Sequence, residues 1–322
     1  MNPPFQITGH ILGEVSKIER LLGRLESLGH SRPQPQLRKS NRVWTVQGSL
    51  SIEGNTLSEE QVTALIDGKT VIGKPGEIQE VLNAIEVYEK MAEFNPLSSR
   101  SMLKAHRMMM MKLLNSAGKW RSGNVGIFKQ SGVSHMAPPA GNVPNLMKSL
   151  FEFLKKDRNH ALIKSSVFHY ELGFIHPFED GNGRLGRFWH SLLLTHYHPV
   201  FEFTPVESLI KTHQQRYYEV LGKSDKAGDS TSFIEFSLEM VSQALDGFVD
   251  AIRPQPSSAN TRLQSARDHF ENRQFSRKEY LKLFKTISTA TASRDLIAGD
   301  EAGNLSREGE RAQTVYRFIH GE

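Results

Sequence analysis

Apolar side chains recur at helical spacing along most of the chain. Ile11, Leu12, Val15, Ile18, Leu21, Leu22, Leu25 and Leu28 form one stripe, so the spacing predicts an amphipathic helix over 11–30 that stops near Gly29. The Pro- and Gln-containing run from Arg32 to Gln36 breaks it. Further helical patterns cover 58–66, 77–94 and 99–114. Residues 120–142 change character. Gly123, Gly126, Gly132, Gly141 and the pair Pro138-Pro139 separate short β-prone pieces, which predicts a hairpin or loop. Helices are predicted again at 143–156, 161–174, 181–197, 206–222 and 231–250.

The run Arg253-Pro-Gln-Pro-Ser-Ser-Ala-Asn260 is the best domain boundary. It repeats the Arg-Pro-Gln-Pro of residues 32–35, which reads as shared linker composition; no repeat architecture follows. Beyond it the pattern predicts helices at 262–270, 276–284 and 287–298. Two short strands follow between Asn304 and Tyr316, joined by a Glu308-Gly309 turn. Three helices and then a hairpin is the order of a winged helix, whose third helix and wing commonly meet DNA. Residues 254–322 carry 11 basic and 9 acidic side chains, a weak electrostatic footprint for a duplex. A structural or protein-binding module is the plainer reading of that unit.

Composition narrows the field. With 322 residues and 38% hydrophobic side chains the chain can bury a sizeable core. The absence of cysteine excludes a disulfide scaffold, a thiolate metal site and a cysteine nucleophile, and it fits a reducing cytoplasm. The opening Met-Asn-Pro-Pro-Phe shows no basic region followed by an apolar run, so no secretory signal and a cytoplasmic location are expected. No stretch approaches the ~18 apolar residues that span a bilayer. A net charge of +5 permits a nucleic-acid partner without demanding one.

The chemistry concentrates in His176-Pro-Phe-Glu-Asp-Gly-Asn-Gly-Arg-Leu-Gly-Arg187. An apolar helix precedes this segment and another follows, so Gly181, Asn182 and Gly183 fall at a helix N-terminus. Unpaired N–H groups and the positive dipole end make such a turn an anion cradle, and Gly lets an anion approach closely. Arg184 and Arg187, three apart, lie on one face and offer planar forks suited to phosphate. Asp180 is a hard oxygen ligand of the kind that holds Mg²⁺ beside phosphates. His176 stands on the preceding loop as a base near neutral pH. Singly, a Gly-Asn-Gly turn, a His before Pro and an i, i+3 Arg pair are ordinary. Within twelve residues they form a constellation for phosphate chemistry.

This segment resembles the signature of the Fic family, His-Pro-Phe-x-[Asp/Glu]-Gly-Asn-Gly-Arg-x-x-Arg, at every fixed position. The resemblance implies a mainly α fold: a Fic-type helical core with a β-hairpin flap, an N-terminal helical region and a small C-terminal winged-helix domain. The corresponding division is 1–95 for the N-terminal region with an inhibitory motif, 96–252 for the core, 253–261 for the linker and 262–322 for the winged-helix-like domain. Val133-Ser134-His135-Met136 is similar to the flap that clamps a target side chain in extended form. Tyr217 and, eight residues on, Asp225 lie where the family's adenine pocket places a Tyr and a polar residue. Asp225 departs from the Asn of some relatives; it can accept from the adenine amine but cannot donate to a ring nitrogen. Upstream, Ser49, Glu53 and Gly54 resemble the family's inhibitory motif, [Ser/Thr]-x-x-x-Glu-[Gly/Asn]. Residues 3–60, with Trp44, resemble the extra N-terminal helices of bacterial members.

The resemblance implies transfer of AMP from ATP to a Ser, Thr or Tyr hydroxyl of a protein. His176 is then the base, Asp180 the Mg²⁺ ligand, and Gly181, Asn182, Gly183 and Arg184 the phosphate site. Arg187 holds the ATP γ-phosphate unless Glu53 occupies it. The implied partners are ATP and a target protein, the chain itself among the candidates. DNA at the C-terminal domain and a homodimer stay open. So do two other functions: removal of AMP on the same site, and a DNA-binding regulator with a restrained Fic core.

Overall fold

The computed structural model of the chain describes residues 3–27, 35–129, 132–252, 258–309 and 314–319. The linker run 253–257 and most of the Arg32–Gln36 breaker lie outside the described residues. The chain divides into two compact units, Met1–Ile252 and Arg253–Glu322.

The first unit holds α1 (Gly9–Ser27), α2 (Pro35–Ile52), α3 (Glu59–Ile66), α4 (Pro75–Glu89) and α5 (Ser99–Met109), then a two-stranded hairpin, β1 (Gly126–Lys129) and β2 (Gly132–Met136). After it come α6 (Val143–Lys156), α7 (Ala161–Ile175), α8 (Asn182–Tyr197), α9 (Val206–Thr212), α10 (Gln214–Ala227) and α11 (Thr231–Ile252). A helix that is apolar all round has to sit inside. α7 is such a helix: Leu162, Val167, Phe168, Leu172 and Ile175 are all buried. It packs along α8, whose Leu185, Phe188, Trp189 and Leu194 are equally enclosed. Each such side chain contributes roughly 1.5–3 kcal/mol of burial. This pairing fixes the turn between the two helices, which carries the signature. The α1 stripe packs on α11, with Ile11, Ile18, Leu21 and Leu25 in the same core. β1 and β2 pair antiparallel with a bulge between Ile127 and Phe128. The side chains of 126–136, and with them the docking roles expected of Val133, Ser134, His135 and Met136, lie outside what the structure describes.

Three helices differ from the sequence reading. The apolar spacing does not mark α2, because its apolar positions are interrupted by Asn41, Gly48 and Ser49, all on its buried side. A Cβ at Gly48 would run into the backbone of Glu207 and Ser208, so close helix contact dictates this segment. The helix predicted over 99–114 ends at Met109, where Asn83 Nδ2 donates to the carbonyls of Met109 (3.1 Å) and Met111 (2.8 Å). The single helix predicted over 206–222 is two, broken at His213. The break turns α10 so that Gln214 Nε2 donates to the Ile52 carbonyl at the end of α2 (3.0 Å).

The second unit runs α12 (Ala259–Phe270), β3 (Phe275–Ser276), α13 (Arg277–Leu283), α14 (Thr289–Glu301), β4 (Leu305–Glu308) and β5 (Val315–Phe318). The three helices and the terminal hairpin follow the expected order. The short β3 adds a third strand, giving the antiparallel order β3-β5-β4. Its own core gathers Leu263, Phe270, Phe275, Tyr280, Leu296 and Phe318. Inside that core Arg262 forks onto Asp295 (2.6 and 2.8 Å). No described helix in either unit is long and apolar enough to cross a membrane.

Candidate active site

The turn between α7 and α8 is built by two left-handed residues. α7 ends at His176 with φ 50° and ψ 60°, a region that non-glycine residues rarely enter. Gly181, with φ 83°, caps α8. The Asn182 side chain closes the loop on itself: its Oδ1 accepts from the Phe178 amide and its Nδ2 donates to the Phe178 carbonyl, both at 2.9 Å. It shapes the turn and leaves its backbone to the cradle.

His106 of α5 braces the loop from below. Its Nδ1 accepts from the Gly118 amide (2.8 Å), so Nε2 bears the proton that is donated to the Asp180 carbonyl (2.9 Å). The ring stacks on Phe178 at 3.7 Å. Burial holds its pKa down at about 4, so the ring is neutral and the tautomer is fixed. Asp180 Oδ1 accepts from the Gly181 amide (2.6 Å) and its Oδ2 from Arg184 Nη2 (3.0 Å).

The two signature arginines are buried, and each meets a carboxylate. Arg187 is 1% exposed. Its Nη2 donates to Glu53 Oε1 (2.7 Å) and to the Ser49 carbonyl (2.9 Å), and its Nε donates to Ser49 Oγ (3.1 Å). Burial opposes its charge, but Glu53 more than offsets that and leaves the pKa above the ordinary guanidinium value. The Glu53 carboxylate also lies against Gly183, where any Cβ would collide with Oε1. It therefore occupies the first turn of α8, the position of an anion at a helix N-terminus. Arg184 Nη1 donates to Glu80 Oε1 (2.9 Å), and Glu80 Oε2 accepts from Asn55 Nδ2 (2.8 Å). The segment Ser49–Asn55 thus touches Arg187 directly and Arg184 through Glu80.

α9 and α10 hold the end of α2 in place. Lys211 Nζ donates to the Ser51 carbonyl (2.9 Å), while Gln214 and the Tyr218 hydroxyl (3.2 Å) both donate to that of Ile52. Carbonyls that a helix C-terminus leaves unpaired are thereby satisfied. Tyr217 points into the core behind Arg187, its hydroxyl 3.3 Å from His169 Nε2, and burial raises its pKa to about 12. Asp225, at the far end of α10, accepts from the Tyr170 hydroxyl (3.0 Å).

His176, Asp180, Gly181, Asn182, Gly183, Arg184, Arg187, Ser49, Glu53 and Gly54 all belong to this site or its immediate wall. Glu80, His106, Arg121 and Lys211 were not anticipated. They come from distant parts of the chain and carry no motif of their own.

A turn of this kind, with two left-handed residues, a glycine-lined helix start and two buried arginines, places an anion seat at the start of a buried helix. The family model described as the Fic/DOC family matches residues 96–194. The solved structure of a Fic family protein from Desulfovibrio desulfuricans G20 superposes with a TM-score of 0.76 at 36% identity. The match covers 100% of this chain and 99% of that one. The chain belongs to the Fic family. The protein adenylyltransferase Fic of Culex quinquefasciatus is 27% identical over 223 residues, 65% of this chain and 42% of that protein. That of Aedes aegypti is 27% identical over 264 residues, 75% and 49%. The chain thus spans about half the length of the curated relatives it matches.

Proposed function

We propose that this chain transfers AMP from ATP to a Ser, Thr or Tyr hydroxyl of a protein, and that Glu53 restrains it. One observation carries the reading: the anion position at the start of α8, in the turn that His176 opens, is held by the carboxylate of Glu53, from the turn after α2. A seat that takes a carboxylate on Arg187 and the Gly183 turn suits a phosphate group at least as well.

The residues have separable tasks. The His176 imidazole accepts the proton of the attacking hydroxyl as its oxygen bonds to the α-phosphorus. The bond from that phosphorus to the leaving pyrophosphate breaks at the same centre. The amides of the Gly181–Gly183 turn and Arg184 stabilise charge growing on the phosphate oxygens. Arg187 takes the terminal phosphate, which aligns the α-phosphorus with the attacker. Glu53 has to leave Arg187 before that pose forms. Asp180 fits a Mg²⁺ ion: it is one exposed carboxylate at the mouth of the site, and Mg²⁺ commonly takes one or two protein carboxylates and fills its shell with phosphate oxygens and water. Bound there, the ion would neutralise phosphate charge.

The test is incubation with α-labelled ATP and Mg²⁺, using the parent chain and Glu53→Gly. Label on protein, and more of it with the variant, is the expected result. No label from either form would remove the reading.

A further inference from the structure

Arg121 lies between the hairpin and the α7–α8 turn and is only 5% exposed. Among the described residues every acceptor of its guanidinium is a main-chain carbonyl. Nε donates to His176 O (2.7 Å), Nη1 to Gly123 O (2.9 Å), and Nη2 to Ile175 O (3.3 Å) and to Pro138 O. Its own amide donates to Pro177 O (2.9 Å). Among the described residues no carboxylate pairs with it, and burial pulls its pKa below the ordinary guanidinium value. A buried cation without a counter-ion is costly unless its donors are satisfied, and here the carbonyls satisfy them.

The positions of those carbonyls are informative. Ile175 and His176 are the end of α7, where carbonyls lack helical partners and a cation is favourable. Gly123 lies just before β1, and Pro138 just after β2. One planar group therefore ties both ends of the hairpin to the residue that bears the imidazole. His176 needs such a tie, because its left-handed backbone persists only where the surroundings over-determine it.

We propose that Arg121 is a positioning residue that sets the target-docking hairpin in register with His176. The claim rests on the reading under Proposed function. It assigns Arg121 no contact with ATP, so loss of its fork should slow transfer without weakening nucleotide binding. A displacement of ~1 Å between attacker and base is enough to cost about 100-fold in rate.

The test uses Arg121→Lys in the Glu53→Gly background. Lysine keeps the charge but cannot span the separate carbonyls. The expected result is a kcat for AMP transfer lower by about 10- to 100-fold with KM for ATP within about twofold of the parent. Amide exchange should rise together in 123–140 and 174–178 while α8 stays protected. Unchanged kcat, a KM for ATP that rises in step with the loss, or faster exchange in only one segment would overturn the proposal. Should Arg121→Lys not fold, Arg121→Gln takes its place; if neither folds, Arg121 is a core residue and the proposal fails. The exchange result stands whether or not the parent transfers AMP, so failure of the catalytic reading and failure of this one are distinguishable.

Discussion

Two of the guanidinium groups buried in the site, Arg187 at 1% and Arg121 at 5% exposure, differ in what holds them. Arg187 meets a side-chain carboxylate, that of Glu53, on a turn at the end of α2. Among the described residues, Arg121 meets only peptide carbonyls. A carboxylate on a separate segment can swing away and be replaced by another anion. Peptide carbonyls cannot leave without unfolding the segment that carries them. Burial alone therefore does not say whether an arginine is a switch or a fastener; the identity of its acceptors does. A third buried charge sharpens the point. Glu171 in α7 is 2% exposed, with Oε2 unpaired, and burial raises its pKa to about 7. An acid so placed can escape its charge by taking a proton, whereas a guanidinium cannot.

The largest effect is expected at His176, whose carbonyl Arg121 holds. His176→Ala should lower AMP transfer by about 10²- to 10⁴-fold, the usual worth of a general base, while Mg·ATP still binds. Calorimetric titration beside a label assay checks this. Equal losses of binding and turnover would make His176 a nucleotide ligand instead.

Glu53→Gly should raise transfer about 10- to 100-fold at fixed ATP, the range of an ordinary coupling between two ligands. The apo protein should lose stability, by less than the ~3–5 kcal/mol of a fully buried pair, because Glu53 is partly exposed. The thermal shift on adding Mg·ATP should grow. Adding Arg187→Ala should cancel the gain, because both act through one contact. A double mutant that stays hyperactive would leave Arg187 no switch at all.

The third effect is in stability and follows pH. The Glu171 carboxyl holds its proton more tightly folded than unfolded, where its pKa is near 4.5, so folding stability is lost as pH rises from about 4.5 to 7. The full penalty is about 3 kcal/mol. Glu171→Gln should therefore stabilise the protein at pH 8 and change little at pH 4. Urea melts at the two pH values measure it, and a parallel offset at both would contradict the assignment.

The smallest effect belongs to Glu80. It joins Asn55 to Arg184, so Glu80→Gln should release the inhibitory segment only in part. A rise in transfer several-fold below that of Glu53→Gly is expected, read in the same assay. A rise as large would move the main restraint from Arg187 to Arg184.

Much of this arrangement was legible in the residues themselves. The signature is contiguous, and its flanking apolar helices announce where the turn must fall. Glu53 was found because its spacing from Ser49 forms a short motif. α2, which carries Ser49 and ends just before Glu53, is not marked by the apolar period, because Asn41, Gly48 and Ser49 on its buried side break it, and the helix is held by packing on residues 207–208. His106 and Arg121 were invisible for another reason. Their partners are main-chain atoms, several of them far away in sequence, and bonds to backbone leave no pattern in side-chain identity. The same holds for the break at His213, which follows from how α10 meets the end of α2.

The left-handed backbone at His176 constrains which replacements the site can accept. Asn and Asp visit that conformation far more readily than Ala or β-branched residues. Asn is thus the replacement that deletes the base and keeps the turn, leaving the phosphate seat, the Arg121 fork and the hairpin undisturbed. On the proposed function, a chain altered in that one position is expected to be a silent copy, still able to hold nucleotide and partner. Loss of chemistry and loss of binding are separable at this position because its shape is a property of the backbone.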